Sequence, residues 1–326
     1  MSKIVFLQKE TLGEDVDLEK FNNFEDISFY EHVTQDQVIN YAKDAEIVIT
    51  NKNLFNKEVI DSCPHLKLIA LTATGANNVD LEYAKEKGIV VENVSGYSTD
   101  AVAQLTMAMA LSLVERLSHY DGYVKSGTYS ESGAFSYFGN PFHTLSSLRW
   151  GIVGLGAIGR KVASIASAFG AEVVYTSFSG VDREEEYERV SFEKLCRECD
   201  VISIHSPLTD KTHHLFDEEV FKMMKSSAIL INVGRGPIVE EKALVKALNN
   251  EEIYGAGLDV YEKEPLEKSS GLLQLTYPER AILTPHVGWG SVEARQKCAD
   301  EVYENVRLFI EGTLRNVVNE KKSLKY

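Results

Sequence analysis

The strongest constraint on this chain is a glycine pattern set between an apolar run and a helix-periodic stretch. Gly154-Leu155-Gly156-Ala157-Ile158-Gly159 follows the apolar residues 150–153 and opens a helical pattern from Arg160. Each glycine of such a G-x-G-x-x-G has a mechanical reason. The first permits a tight turn, the second lets backbone approach a pyrophosphate, and the third lets helix and strand pack closely. The helix N-terminus then offers free N–H groups and the positive end of a dipole to an anion. Gly154, Gly156, Ala157, Ile158 and Gly159 are therefore candidate dinucleotide contacts.

Around that pattern, short apolar runs alternate with helical stretches twice over, the signature of βαβ units and parallel sheets. Strands are expected at 4–7, 47–50, 68–71 and 90–91, with helices at 35–43, 57–62 and 81–87. A longer helix at 105–117 is apolar on all sides, which predicts burial between domains or at a subunit interface. A second alternation predicts strands at 151–153, 172–175, 201–205, 228–232, 255–259 and 281–284. Its helices fall at 160–169, 192–199, 217–224 and 240–249. Six strands complete one doubly wound nucleotide-binding unit. A final helix at 292–312 comes after that unit is finished, so its expected home is the first domain. The predicted fold is α/β, with two Rossmann-like domains built on doubly wound parallel sheets. A discontinuous substrate domain takes 1–100 plus 291–326, and the dinucleotide-binding domain takes 101–290. The charge run 182–189 reads as a solvated face.

Composition narrows the function classes. The chain has 326 residues, 44% of them hydrophobic and 25% charged, so it has enough apolar material for two packed cores. A formal net charge of −15 repels nucleic-acid backbones and anionic lipid, which argues against both as partners. Any anionic ligand must instead find local positive potential. No apolar run reaches the roughly 18 residues that span a bilayer. The first residues read as a strand rather than a signal peptide, so a cytoplasmic location is expected. Four scattered cysteines make no disulfide framework, and the lone Cys196-x-x-Cys199 reads as structural rather than as a metal or redox motif.

The acid that would hold an adenosine ribose belongs about 20 residues past the glycines. There the sequence has Thr176-Ser177-Phe178. Without an acid the usual bar to NADP is missing, yet no Arg or Lys adjoins Thr176 to attract a 2′-phosphate, and Arg183 is the nearest candidate. Both cofactors stay open, with a lean to NAD.

Three further segments follow successive strands: Asn232-Val233-Gly234-Arg235-Gly236, Asp259 to Leu266, and Thr284-Pro285-His286-Val287-Gly288-Trp289. In a doubly wound sheet the carboxyl ends of the strands face the ligand crevice. Arg235, Glu264 and His286 are thereby expected to converge beside the nicotinamide. The types suit 2-oxo acid reduction, in which C2 receives hydride and its oxygen a proton. Imidazole titrates near working pH and can supply that proton. Glu264 would orient it, and Arg235 offers paired donors to a carboxylate and to the C2 oxygen.

In these segments and in their order after the glycines, the chain resembles the D-isomer-specific 2-hydroxyacid dehydrogenase family over essentially its whole length. The resemblance implies a homodimeric, NAD- or NADP-dependent enzyme acting on a small anionic 2-oxo or 2-hydroxy acid, with Arg235, Glu264 and His286 catalytic. It implies cofactor contacts at Thr176, His205, Pro207, Thr212, Val233, Gly234, Arg235, Asp259 and Gly288. Substrate contacts are implied at Thr74, Gly75, Arg235, His286 and Trp289, the first two through backbone N–H groups. Val102 and Thr106 either border the nicotinamide or pack in the core. Val102-Ala103-Gln104 departs from the family's frequent Val-Ala-Glu without a functional reading. The His286-x-x-Trp289 arrangement is similar to the glycerate dehydrogenase/hydroxypyruvate reductase branch, which implies hydroxypyruvate or glyoxylate as oxidant. D-lactate and branched-chain 2-hydroxyacid dehydrogenases are the alternatives. Formate and phosphite dehydrogenases share the scaffold, but formate enzymes carry Gln where this chain has Glu264. Some relatives are NAD-sensing corepressors; the intact residue trio argues against that class here.

Overall fold

The computed structural model describes residues 2–180 and 184–320. It divides into two compact units, Met1–Ser98 with Trp289–Tyr326, and Thr99–Gly288.

The first unit holds β1 (Ile4–Phe6), β2 (Ile27–Phe29), α1 (Val38–Ala42), β3 (Ile47–Thr50), α2 (Lys57–Asp61), β4 (Leu68–Leu71), α3 (Leu81–Glu86) and β5 (Val90–Glu92). The strands pair in parallel in the order β2-β1-β3-β4-β5. β1, β3 and β4 are buried throughout and apolar except for Thr50 at the end of β3, as strands covered on both faces must be. β2 is an edge strand of half-buried residues that the sequence reading left out. Its short, mixed Ile-Ser-Phe carries too little pattern to stand out. The expected helix at 35–43 begins as a 3-10 turn, Gln35–Gln37, before α1.

The second unit runs through α4 (Thr99–Val114), α5 (Leu117–Lys125), α6 (Thr128–Ser132), β6 (Arg149–Val153), α7 (Ala157–Ala168), β7 (Glu172–Thr176) and β8 (Glu188–Arg189). It continues with α8 (Phe192–Glu198), β9 (Val201–Ile204), α9 (Glu218–Met223), β10 (Ile229–Asn232), α10 (Glu241–Asn249), β11 (Gly255–Leu258) and β12 (Ala281–Leu283). The sheet is parallel, in the order β12-β11-β10-β9-β6-β7-β8. Among the described residues it therefore has seven strands, where six were expected. The extra one, β8, lies inside the charge run read as a solvated face. Its two exposed residues extend the sheet beside Val174 and Tyr175. Residues 182–183 of that run lie outside the described residues.

The long apolar helix also starts earlier than expected and lies within one unit. Ala103, Met107, Met109, Ala110, Leu113 and Val114 of α4 join a core with Trp150, Ile152 and Val162. The helix is apolar all round because the unit's own sheet and α7 cover most of it. Cys196 and Cys199 are buried, with Cys199 Sγ pressed against the space a side chain at Gly151 would need. Burial pushes both thiols up to about 12, so neither carries thiolate chemistry at neutral pH. Among the described residues no three His, Cys, Asp or Glu side chains group to hold a metal. No helix among them is long and apolar enough to cross a membrane.

The chain then returns to the first unit. α11 (Val292–Ile310) packs on β4, and Arg295 on it pairs with Asp15.

Candidate active site

β6 ends at Val153, and Gly154 turns the chain with φ +96°. A Cβ at Gly154 would sit 2.5 Å from Ser206 Oγ, and one at Gly159 would lie 2.2 Å from Gly154 O. Those two glycines answer to close packing. Gly156 answers to something else, because a Cβ there would meet no protein atom within 4 Å. Its bareness keeps space open in front of α7. No side chain caps that helix, so its first N–H groups are left for an anion.

A pocket of about 250 Å³ opens beside this cradle, bordered by Gly154 and Gly156, by Ser177 to Ser179 after β7, and by His205, Pro207 and Thr212 after β9. Thr176 is buried and turns its carbonyl to the N–H of Gly154, so the rim beyond β7 belongs to the next three residues. Thr212 Oγ1 donates to Pro207 O at 2.8 Å and fixes the loop between them. The imidazole of His205 shares Ser203 Oγ (3.0 Å) with the indole N–H of Trp150 (2.9 Å), while its buried Nδ1 finds no partner among the described residues. Burial holds this imidazole down at about 3, so it is neutral. An open glycine cradle, an uncapped helix start and an orphaned buried nitrogen all fit the phosphates and sugar of a dinucleotide.

The carboxyl ends of β10, β11 and β12 carry the second cluster. After β10, Asn232 braces the turn. Its Oδ1 accepts from Gly234 N (3.1 Å) and its Nδ2 donates to Arg235 O (3.0 Å). Val233 and Gly234 form that turn, and Arg235 Nη1 donates to Gly234 O at 2.7 Å. Gly236 is obligatory, since a Cβ would lie 1.8 Å from Tyr261 O. After β11, Glu264 Oε1 accepts from Tyr261 N, and Oε2 lies 2.8 Å from His286 Nδ1. A carboxylate can only accept, so the shared proton sits on Nδ1 and Nε2 is left for a substrate.

His286 itself is held under strain, at φ +56°. Asp259 supplies the restraint. Its Oδ1 accepts from Thr284 Oγ1 (2.6 Å) and Val287 N (2.8 Å), and its Oδ2 accepts from Gly288 N (2.7 Å). Three bonds from one buried carboxylate pin the loop on both sides of the imidazole. Tyr261 OH adds a fourth restraint by donating to Thr284 O at 2.9 Å. Asn232 and Tyr261 escaped the sequence reading, because a polar residue at a strand end carries no local mark of the turn it braces. Val102 and Thr106 are both buried, and Thr106 donates its hydroxyl to Val102 O. Val102 lies against the space a side chain at Gly288 would need.

In the first unit, Thr74 and Gly75 form the turn after β4. Thr74 Oγ1 donates to Val94 O, and Asn93 Nδ2 donates to Thr74 O at 2.6 Å. Trp289 is half-buried at the start of the returning segment. Arg183 lies outside the described residues.

Residues 107–288 match the profile of the D-isomer specific 2-hydroxyacid dehydrogenase NAD-binding domain. The chain belongs to that family. Glycerate dehydrogenase of Methylorubrum extorquens is 36% identical to this family member across 97% of the chain and 98% of its own length. Glyoxylate reductase of Thermococcus litoralis is 39% identical across 84% and 82%. Among solved structures, D-lactate dehydrogenase from Aquifex aeolicus, complexed with NAD and lactic acid, superposes with a TM-score of 0.86 at 29% identity. That match covers 98% of this dehydrogenase-family chain and all of the other.

Proposed function

We propose that this protein reduces hydroxypyruvate or glyoxylate to D-glycerate or glycolate with a nicotinamide dinucleotide, NAD(H) ahead of NADP(H). The observation that carries the reading is the His286–Glu264 pair, 2.8 Å apart and pinned by Asp259 at the strand ends of a dinucleotide fold. The similarity to enzymes named glycerate dehydrogenase, hydroxypyruvate reductase and glyoxylate reductase supports the choice of acid.

The chemistry divides among the chain's own groups. The bound dinucleotide is the source of hydride. Gly154, Gly156 and the start of α7 (Ala157, Ile158, Gly159) hold its pyrophosphate. His205, Pro207 and Thr212 wall the adenosine side, together with the strand end at Thr176. Val233, Gly234, Asp259 and Gly288 flank the nicotinamide side. Arg235 holds the substrate carboxylate and draws electron density from the C2 oxygen. His286 passes its Nε2 proton to that oxygen, and Glu264 stabilises the imidazolium beforehand and orients it. We assign the backbone N–H groups of Thr74 and Gly75 to a carboxylate and Trp289 to substrate contact.

NAD(H) is favoured because the pocket's ribose rim carries a carboxylate, Glu185, which would repel a 2′-phosphate. We further propose a homodimer, on the exposed aromatic side chains of the segment after α5. Four unpaired thiols fit a reducing compartment such as the cytoplasm.

A steady-state panel of hydroxypyruvate, glyoxylate, pyruvate and 2-oxoisocaproate with NADH and NADPH tests the reading. The expected ranking by kcat/KM puts hydroxypyruvate or glyoxylate first, with NADH. Fastest turnover of pyruvate or 2-oxoisocaproate would replace the substrate. Dinucleotide binding without oxidation of NADH by any of the four would favour a sensor instead.

A further inference from the structure

The strand end after β7 offers Thr176-Ser177-Phe178 where a ribose-binding acid is usual, yet the pocket does not lack one. Glu185, six to eight residues past Ser177–Ser179 and ahead of β8, lines the same pocket as Ser177 and Ser179. Its side chain is only 14% exposed. A carboxylate that far from bulk water needs a cationic partner. Arg160, on the first turns of α7, provides it, with Nε donating to Glu185 Oε2 at 3.1 Å and Nη2 donating to Oε1. The two side chains meet edge to edge, the geometry in which a guanidinium is most fully committed.

We propose that Glu185, fastened by Arg160, is the residue that selects an unphosphorylated adenosine ribose in this pocket. The inference rests on the reading above that the pocket receives the adenosine half of a dinucleotide. Glu185 acts in two ways. Its carboxylate accepts from a ribose hydroxyl and repels a 2′-phosphate. It also occupies the guanidinium that a 2′-phosphate would otherwise recruit. Arg160 is thus a latent phosphate site, switched off by an acid of the same chain.

This arrangement makes an asymmetric prediction. Glu185→Gln removes the repulsion and releases Arg160 at once, so the barrier to NADPH becomes an attraction. The test is equilibrium binding of NADH and NADPH, followed by nicotinamide fluorescence, for the full-length wild type, E185Q, E185A and the E185Q/R160Q pair. Binding without substrate keeps the result independent of turnover. Wild type is expected to bind NADH at least tenfold tighter than NADPH. A charged hydrogen bond plus a released guanidinium should narrow or invert that ratio by about ten- to a hundredfold in E185Q, mostly through tighter NADPH. E185A should follow E185Q. Adding R160Q should cancel the NADPH gain. Equal or tighter binding of NADPH by wild type would overturn the proposal. So would an E185Q ratio within twofold of wild type, or a gain that survives R160Q. If neither dinucleotide bound any of the four proteins, the nucleotide reading itself would fall, and this inference with it. Binding of both with no selectivity would sink only the role of Glu185.

Discussion

The left-handed backbone at His286 concentrates the site's demands in one residue. A non-glycine side chain at φ +56° costs on the order of 1 kcal/mol and persists only where its surroundings impose it. Here the imposing group is the Asp259 carboxylate, which accepts from Thr284, Val287 and Gly288. The imidazole is therefore delivered to Glu264 already oriented, and little rearrangement is left for the proposed proton transfer. His286→Ala is expected to lower kcat by about 10² to 10⁴, the usual contribution of a general acid, while NADH binding stays close to wild type. A variant that keeps kcat within threefold would remove His286 from the mechanism. Arg235→Lys should raise KM for the 2-oxo acid by at least about tenfold, because a point charge cannot reproduce a planar pair of donors. An unchanged KM in steady-state kinetics would reassign Arg235. The sequence made Arg235, Glu264 and His286 conspicuous because each follows an apolar run in a short, distinctive segment. Asn232, Tyr261 and Glu185 left no such trace. Asn232 is marked out by the turn it braces at Gly234 and Arg235, while Tyr261 and Glu185 are marked out by Thr284 and Arg160, partners more than twenty residues away in the chain.

Among the elements, strands that are buried on both faces could be read almost to the residue. β3 and β4 fall at 47–50 and 68–71, as their unbroken apolar runs predict. The edges could not. β2 and β8 are short, and β8 is made of Glu and Arg, so their assignment depends on pairing with β1 and β7 rather than on any local preference. α7 begins at Ala157, three residues before the expected start, since two of the motif's glycine-flanking residues and Gly159 itself make its first turn. A buried acid at the end of β5 shows how a polar residue inside an element can be tested. Glu92 is fully buried, Oε2 has no partner among the described residues, and Oε1 accepts only from Arg315 N at 3.2 Å. Burial raises its carboxyl from 4.5 to about 7. Between those values the fold retains a proton that the unfolded chain has released, so its stability falls as pH rises through that window and levels off above it. Glu92→Gln carries no charge at any pH. Relative to wild type it should gain about 1–3 kcal/mol between pH 5 and pH 8, visible as a widening difference in Tm. A difference that stays flat with pH would mean that Glu92 ionises normally.

At the scale of the whole molecule, exposed aromatic surface stands out beyond the helix that the sequence pattern singled out. The helix at 105–117, expected between domains or at a subunit interface because it is apolar on every side, places much of that surface in its own unit's core as part of α4. The most exposed large side chains among the described residues follow α5. Phe135 is 96% exposed and Phe138 83%, with Phe142 and Val124 also in solvent. This is not slack chain. Arg116 Nε donates to Pro141 O (2.7 Å), Tyr120 OH to Asn140 O (2.6 Å) and Tyr129 OH to Phe135 O (2.9 Å), and Tyr123 stacks on Tyr137 at 4.0 Å. A segment ordered by its own hydrogen bonds, yet presenting phenylalanines to water, is shaped for a surface it does not itself provide. With a net charge of −15 two copies repel one another at long range, so the proposed dimer would have to be held by apolar contact. Burying the two most exposed phenylalanines on each copy offers roughly 1.5–3 kcal/mol per side chain, or on the order of 6–12 kcal/mol for a symmetric pair. Association itself costs about 4–15 kcal/mol and a micromolar dimer needs about 8 net, so the phenylalanines supply a large part of the gross gain and the rest of the ordered segment must add to it. Light scattering behind size exclusion should then report the mass of two 36.4-kDa chains for wild type and of one for the Phe135→Ser/Phe138→Ser variant. High salt should leave the wild-type dimer intact, because it screens the repulsion and spares the contact. A wild-type protein that elutes with the mass of a single chain would show that these phenylalanines do not join two copies.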